Sequence, residues 1–295
     1  MRGLVTLIGG SGFVGANIVR VLARDGWRIR VAVRRPWQAY RLRLLGDVGQ
    51  IEIVQANVRA PETVARALEG AEAAVYAAGV LYESGRQQFD ALHAVGPRTV
   101  AEAAARDALS AVVILRPSIV FGPEDHFFNR FATLATFSPM LPLIGGGTTR
   151  FQPVFVGDVA RAAVRALADP LALGRTYELG GPGVHTFREL IELTLREIGR
   201  SRLLVPVPWP LAGLIGRTGD FGAWLRSPMP MLPEPPLTSD QVALLRYDNI
   251  VSPGAAGLAD LGVAATALAP ILPTYLYRYR KGGQFADQVL EEVGA

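Results

Sequence analysis

Residues 5–15 of the chain, VTLIGGSGFVG, decide the fold, because a short apolar run leads directly into a glycine-rich turn. Val5 to Ile8 have the continuous apolar pattern of a buried parallel strand. Gly9 permits a sharp turn, Gly12 lets backbone N–H groups approach a pyrophosphate, and Gly15 lets the next helix pack closely. The segment therefore predicts a dinucleotide site at the positive end of a helix over residues 13–24. The alternative is a tight strand-to-helix turn without a ligand.

Strands and helices alternate along the first 115 residues, which is typical of a doubly wound α/β fold with a parallel sheet. Apolar runs predict strands near residues 4–8, 28–33, 51–55, 73–77 and 112–116. Amphipathic stretches predict helices near residues 13–25, 37–45, 61–69 and 89–107. We expect a Rossmann-type domain over residues 1–125, which also receives elements returning around 151–182. A smaller α/β lobe is expected over residues 126–295.

The composition excludes several classes of site. The sequence has 295 residues, a net charge of +4 and no cysteine, which excludes disulfides and thiolate ligands. Three scattered histidines have no metal-ligand spacing, so no metal site is predicted. No arginine–aromatic stripe predicts nucleic-acid binding. The N-terminus enters a predicted strand at once and no run of about 18 apolar residues occurs, so neither a secretory signal nor a membrane-spanning helix is expected.

Two consecutive arginines, Arg34 and Arg35, follow the second predicted strand. NAD-binding proteins usually carry an acidic residue there, which bonds the ribose 2′-hydroxyl. The planar donor fork of an arginine fits a 2′-phosphate instead. The pair therefore favours NADP(H) over NAD, against the alternative of two solvated surface arginines.

Three further segments make the chain resemble the extended and atypical short-chain dehydrogenase/reductases. They are VYAAG at residues 75–79, LRPSIVFGP at residues 115–123 and FVGDVA at residues 155–160. The resemblance implies an NADP(H) site and places Asn57 beside the adenine. The expected cofactor-binding residues are Gly9, Ser11, Gly12, Phe13, Val14, Gly15, Arg34, Arg35, Asn57, Val58, Ala77, Ala78, Gly79, Pro117 and Ser118.

The Tyr-x-x-x-Lys pair of that family is absent from its expected place. In the family the lysine lowers the tyrosine pKa, on a helix that follows the fifth strand. Here only residues 108–111 separate the fourth predicted helix, near residues 89–107, from the strand beginning at Val112. The fifth strand and catalytic helix are thus either missing from the protein or closed up in the numbering. A numbering join would separate consecutive Cα atoms by more than about 3.8 Å.

One Tyr-x-x-x-Lys occurs elsewhere, from Tyr277 to Lys281, and Lys281 is the only lysine of the sequence. It lies near the C-terminus, after the wrong elements for a catalytic helix. We interpret it as part of a basic-aromatic surface segment. No catalytic residue is predicted.

Residues 203–237 hold eight of the 21 prolines and two of the four tryptophans. Prolines disfavour long helices and strands, so the segment predicts loops and short helices. It is interpreted either as a lid over a substrate lobe or as a membrane-interface or partner-docking surface, where tryptophans are favourable.

Several segments make the chain resemble a narrower group, the NADPH-binding accessory subunit of respiratory complex I and its bacterial relatives. They are FFNRF (127–131), FQPVFVGDV (151–159), VPVP (205–208), LTSDQV (237–242) and LADLGV (258–263). The resemblance implies a structural nucleotide and other complex I subunits as partners. It also implies a peripheral position on the cytoplasmic face of the bacterial inner membrane, or on the mitochondrial matrix face, with residues 203–237 facing the membrane. The rival functions are a free NADP-dependent reductase or epimerase and an NADP(H)-sensing regulator.

Overall fold

The computed structural model describes residues 2–79, 90–106, 112–226 and 238–283, with side chains omitted at residues 90, 91, 221 and 223–226. The predicted discontinuity at residues 108–111 lies outside the described residues.

The N-terminal half is built on a parallel sheet, as the alternating pattern predicts. Its strands are β1 (Leu4–Ile8), β2 (Arg28–Val33), β3 (Ile51–Gln55) and β4 (Ala73–Tyr76), in the order β3-β2-β1-β4. Its helices are α1 (Phe13–Arg24), α2 (Pro61–Leu68) and α3 (Gly96–Arg106), the last preceded by a π-helical turn over Asp90–Val95. The order brings the carboxyl ends of β1, β2 and β4 to one edge of the sheet, where ligands of open α/β folds bind.

The predicted helix over residues 37–45 is wrong. Two 3₁₀ turns, Pro36–Gln38 and Tyr40–Leu45, occupy this stretch. Ala39 and Leu42 are buried between exposed neighbours. Two short turns are enough to place both side chains in the core, so the segment does not need to form a continuous helix.

The rest of the described chain forms short strand pairs and helices. β5 (Ile114–Pro117) pairs in parallel with β10 (Thr176–Leu179), and β6 (Val120–Phe121) with β9 (Val154–Phe155). β7 (Met140–Ile144) pairs in parallel with β12 (Leu203–Val207), and β8 (Arg150–Phe151) antiparallel with β11 (His185–Thr186). The helices are α4 (Phe128–Phe137), α5 (Val156–Ala168), α6 (Phe187–Glu197), α7 (Trp209–Arg226), α8 (Ser239–Leu244) and α9 (Pro273–Leu276).

The described strands of the two halves do not form one continuous sheet. Among the described strands, β4 is the last of the N-terminal sheet and β5 pairs with β10 alone. Helix α5 nevertheless packs into the N-terminal core, since Ala160, Ala163 and Val164 lie in one buried cluster with Val5 and Leu7. The returning helix therefore joins β1 to the later strands.

The expectation of loops and short helices over residues 203–237 is wrong for the described part, residues 203–226. That part forms strand β12 and the 18-residue helix α7. Pro208 and Pro210 lie at the start of α7, where the backbone N–H groups have no partner within the helix. No further proline occurs before Pro228, so the helix continues without a break.

A buried carboxylate joins the C-terminal segment to α4. Asp125 Oδ1 accepts from the N–H groups of Phe128 (2.7 Å) and Asn129 (3.2 Å), and Oδ2 accepts from the Tyr275 hydroxyl (2.5 Å). Both Asp125 and Tyr275 are buried. Burial raises the pKa of Asp125, while the hydrogen bonds from Tyr275 and the backbone oppose that shift.

Candidate nucleotide-binding site

Gly9 and Gly15 are required by the packing of the protein itself. Gly9 has φ +86°, and a Cβ there would lie 2.6 Å from the backbone nitrogen of Ala78. A Cβ on Gly15 would lie 2.4 Å from the carbonyl oxygen of Gly9. The glycine loop therefore contacts the end of β4, and the first turn of α1 packs on the loop.

Gly12 differs from these two glycines. Its φ of −77° and ψ of 171° suit any residue. Among the described residues, a Cβ there would meet only the Gly9 carbonyl oxygen, at 3.5 Å, which is ordinary contact. The space in front of Gly12 is thus left open by the protein, as a cradle for a ligand requires.

Helix α1 begins beside this open space with donors suited to an anion. No side chain caps Gly12, and the first turn has no acidic residue. The first backbone N–H groups of a helix have no partner within it, and the helix dipole adds a partial positive charge. The pyrophosphate of a dinucleotide fits this chemistry.

An arginine-lined cavity of about 110 Å³ lies beside the loop. Its lining residues are Ser11, Val33, Arg34, Arg35 and Gln38. Partial burial, together with the charges of Arg35 and Arg59, lowers the pKa of the Arg34 guanidinium. Crowded positive charge beside a small polar cavity favours binding of an anion such as a phosphate.

The end of β3 supplies Asn57 and Val58. The backbone N–H of Asn57 donates to the Thr63 hydroxyl (2.9 Å), and the Asn57 side-chain oxygen accepts from the Arg59 N–H (3.1 Å). Asn57 also lines a larger cavity, of about 450 Å³, on the side of α2. The Val58 side chain lies in the buried core, so it supports the loop and leaves only its backbone for a ligand.

The fourth strand and the segment after β5 form the other side of the site. Ala77 and Ala78 are half-buried, and Gly79 is exposed beside His93, whose Cε1 is 3.0 Å from a Cβ built on Gly79. Pro117 is exposed. The Ser118 hydroxyl donates to the Asn249 carbonyl (2.6 Å) and accepts from the backbone N–H of Gln152 (3.2 Å). That hydroxyl therefore has structural partners within the protein.

The structure brings together most of the predicted residues. Gly9 contacts Ala77 and Ala78, and Ser11 shares a cavity with Arg34 and Arg35. The Phe13 ring lies 3.4 Å from a Cβ built on Gly122, just after Pro117 and Ser118 in sequence. Val14 packs against both buried clusters that flank β5.

Sequence reasoning missed Gln38, Arg59 and His93. Arg59 follows β3, and β3 is the neighbour of β2 in the sheet, so strand order was a usable signal for a third arginine near Arg34. Gln38 reaches the cavity through a 3₁₀ turn, which the predicted helix obscured. No sequence signal pointed to His93.

The late Tyr-x-x-x-Lys pair does not have the geometry of a helical pair. Tyr277 lies in a 3₁₀ turn that ends at Tyr279, and the backbone is extended at Arg280 (φ −66°, ψ 153°). Tyr277 and Lys281 therefore do not lie on one helical face. Within the described ranges there is no group of side chains that could hold a metal ion, and no helix is long and apolar enough to cross a membrane.

Comparison with known proteins indicates the class of nucleotide that the chain binds. Residues 9–135 match the NAD(P)H-binding family model. The protein named mitochondrial NADH dehydrogenase (ubiquinone) 1 alpha subcomplex subunit 9 of Arabidopsis thaliana is 32% identical, over 98% of this chain and 81% of that protein. This chain belongs to the subunit 9 family. It therefore has a nicotinamide nucleotide as its cofactor class.

The alignment with the Arabidopsis protein is longer than this chain. It runs over 329 positions, more than the 295 residues of this chain, so the Arabidopsis protein carries residues with no counterpart here. A ceramide reductase of Caulobacter vibrioides is 28% identical, over 76% of this chain and 78% of that protein.

Among solved structures, UDP-glucose 4-epimerase of Thermotoga maritima has a TM-score of 0.67 at 14% identity. The match covers 95% of this chain and 99% of that one. This similarity confirms the predicted α/β fold of the short-chain dehydrogenase/reductase type.

Proposed function

We propose that this protein is a non-catalytic, NADP(H)-binding accessory subunit of respiratory complex I, which stabilises the junction of its hydrophilic and membrane arms. One observation carries the proposal: the glycine loop has the close packing that the family's fold requires, while the only lysine of the sequence, Lys281, follows a 3₁₀ turn near the C-terminus and shares no helical face with Tyr277. A reductase of this fold needs a lysine to lower the pKa of its tyrosine. The chain therefore retains the family's glycine loop for nucleotide binding but does not have the Tyr-Lys pair in the place where it donates a proton.

The nucleotide is NADP(H) and not NAD. The cavity formed by Ser11, Arg34, Arg35 and Gln38 lies at the end of β2, where a 2′-phosphate is bound in this fold. Arg59 adds a third positive charge nearby, and none of the described residues that line the cavity is acidic. An NAD site would carry a carboxylate here for the ribose hydroxyl.

The nucleotide is held by the residues predicted from the sequence. The glycine loop and the start of α1 take the pyrophosphate, and Asn57 with the Val58 backbone takes the adenine. Ala77 to Gly79 and the Pro117–Ser118 backbone line the nicotinamide side. We retain the division into a nucleotide domain over residues 1–125 and a C-terminal lobe over residues 126–295.

The partners are other complex I subunits, and the C-terminal segment 203–237 faces the membrane surface. Helix α7 exposes Leu211 and Leu214 in this segment. The position is peripheral, on the cytoplasmic face of the bacterial inner membrane or the matrix face of a mitochondrion. Neither a metal nor a nucleic acid takes part.

Binding and turnover by the purified full chain test the non-catalytic role. We expect one tightly bound NADPH per chain and no oxidation of NADPH when carbonyl substrates are added. Steady NADPH consumption with any of them would replace this proposal with that of a reductase.

The second candidate is a free NADP-dependent reductase. It is favoured by the similarity to the Caulobacter ceramide reductase. In this chain it would need a proton donor other than the Tyr-Lys pair. A regulator that senses NADP(H) is the third, and nucleotide-dependent exchange of a partner would identify it.

A further inference from the structure

The segment after β2, which contains the two 3₁₀ turns, exposes apolar side chains that the proposed function does not use. Trp37 is 64% exposed, Leu44 is 88% exposed, Tyr40 is half exposed and Val48 is fully exposed. We call these four residues the turn face. Soluble proteins scatter single exposed apolar residues, whereas four on one short segment mark a contact surface.

The turn face is held outward by buried anchors. Ala39 and Leu42 alternate with its residues, and both are completely or almost completely buried in the N-terminal core. Trp37 and Tyr40 are three residues apart, the spacing at which side chains align in 3₁₀ geometry, and Leu44 lies near the end of the second turn. Because the anchors fix the turns, these side chains cannot bury themselves without unpacking the core.

Positive charge surrounds the turn face. Arg41 and Arg43 are exposed within it, and the Arg43 guanidinium lies 5.1 Å from the centre of the Tyr40 ring. Arg41 approaches Glu124 at 3.9 Å, but both groups are largely exposed, so this pair is weak. With Arg34 and Arg35 on one side, residues 34–48 hold four arginines against one acidic residue, Asp47.

We propose that the turn face binds the surface of an anionic lipid bilayer. Tryptophan and tyrosine favour the membrane interface, because one end of each ring system is apolar and the other polar. Leucine and valine tips insert at the boundary of headgroups and acyl chains, and flanking arginines pair with anionic headgroups. The projecting tips fit a soft lipid layer better than the close-packed surface of a protein. The inference goes beyond the proposed function, which places membrane contact at residues 203–237.

The arrangement also fixes an orientation. The turn face directly follows Arg34 and Arg35, and Gln38 lies between two of its residues while lining the arginine-lined cavity. A membrane bound to the turn face therefore lies next to the 2′-phosphate end of the nucleotide site.

Vesicle flotation of the purified full chain tests the proposal. We expect the chain to float with phosphatidylcholine vesicles that contain cardiolipin and to remain behind with pure phosphatidylcholine. Leu44→Asp and Val48→Asp should each weaken binding by at least about tenfold, because each places a charge among the acyl chains. Arg41→Gln and Arg43→Gln should each weaken it by about fivefold, only for the anionic vesicles.

A matched control separates the turn face from general loss of apolar surface. Leu171 is 79% exposed on a 3₁₀ turn of the later half, so Leu171→Asp makes the same chemical change elsewhere. It should leave vesicle binding unchanged. Equal binding by the wild type and all turn-face variants, or no binding to cardiolipin vesicles, would overturn the proposal.

Tryptophan fluorescence gives an independent readout. Trp37 should enter the lipid interface and shift the emission of the wild type to shorter wavelength when anionic vesicles are added. Trp37→Phe keeps an apolar ring, so it should still float, and its shift should be smaller by the contribution of Trp37. A shift of unchanged size would contradict the placement of Trp37 in the lipid. If Leu44→Asp kept full vesicle binding and instead lost a complex I subunit, the occupant of the turn face would be a protein.

Discussion

The three glycines of the loop are explained by two different physical requirements. Gly9 and Gly15 have no room for a Cβ, because backbone atoms lie within 2.6 Å of where it would be. Gly12 has room and an unstrained backbone, so the protein alone does not require it. A residue that folding does not need, in a loop that otherwise fits its surroundings closely, indicates a requirement of the ligand.

Gly12→Val should therefore fold and yet fail to bind NADPH, because its side chain would fill the pyrophosphate position. Thermal unfolding and NADPH titration on the same sample check both halves of this prediction. Gly9→Ala is the contrasting variant, which we expect to lose stability because of its positive φ and its contact with Ala78. Unchanged NADPH affinity in Gly12→Val would remove the glycine loop from the site.

Arg34→Ala should weaken NADPH binding by about 1.5–3 kcal/mol, the range for hydrogen bonds to charged groups, and leave NADH nearly unaffected. Titration with both nucleotides measures the difference. Arg188→Ala, which removes a surface arginine from α6, is the charge-matched control. If NADPH and NADH lost affinity equally, Arg34 would not recognise the 2′-phosphate.

The bounds of helices and strands were predicted correctly from the sequence where the local pattern and the tertiary structure agree. The strands β1 to β4 and helices α1 and α2 lie within one residue of their predicted bounds, because each has a simple apolar period and clear ends. The expectation for residues 203–226 was wrong because it rested on the number of prolines. Pro208 and Pro210 lie at the start of α7, where prolines allow a long helix to follow.

For the candidate site, local spacing was enough to select the glycine loop and the arginine pair, and their binding of a nucleotide stays a prediction. Arg59 and Gln38 depend on strand order and on the path of a turn, which no local pattern specifies.

The hydrogen bond from Tyr275 to Asp125 connects the C-terminal segment to the start of α4, and its effect on stability can be tested. Tyr275→Phe should lower the free energy of unfolding by about 1.5–3 kcal/mol, because it removes a hydrogen bond to a buried carboxylate. Denaturant unfolding measures the change. Tyr277→Phe, two residues away on the half-exposed turn, is the control and should have little effect.

The stability that this hydrogen bond contributes should depend on pH. The pKa of Asp125 is raised in the folded protein, so stability falls as pH rises from the ordinary carboxyl range through the raised value. The Tyr275 hydroxyl favours the ionised form and opposes that fall. The destabilisation by Tyr275→Phe should therefore be larger at pH 7 than at pH 4, and an equal loss at both pH values would contradict this assignment.

At the scale of the whole molecule, membrane association should be separable from nucleotide binding. Replacing Trp224, Leu225 and Met229 with Asp should release the protein from membranes and leave NADPH affinity unchanged, since these positions lie outside the N-terminal sheet. Membrane fractionation and NADPH titration of the same variant check this. Loss of NADPH binding together with membrane release would show that residues 203–237 belong to the nucleotide site.

As proposed, the chain is a nucleotide-binding subunit of complex I that catalyses no reaction itself. Affinity purification of the tagged full chain from detergent-solubilised membranes, with bound nucleotide extracted from the same sample, tests this proposal. We expect co-purification with NADH:quinone oxidoreductase activity and about one NADP(H) per chain. Recovery of the chain as a monomer from the soluble fraction, oxidising NADPH with a carbonyl substrate, would contradict it.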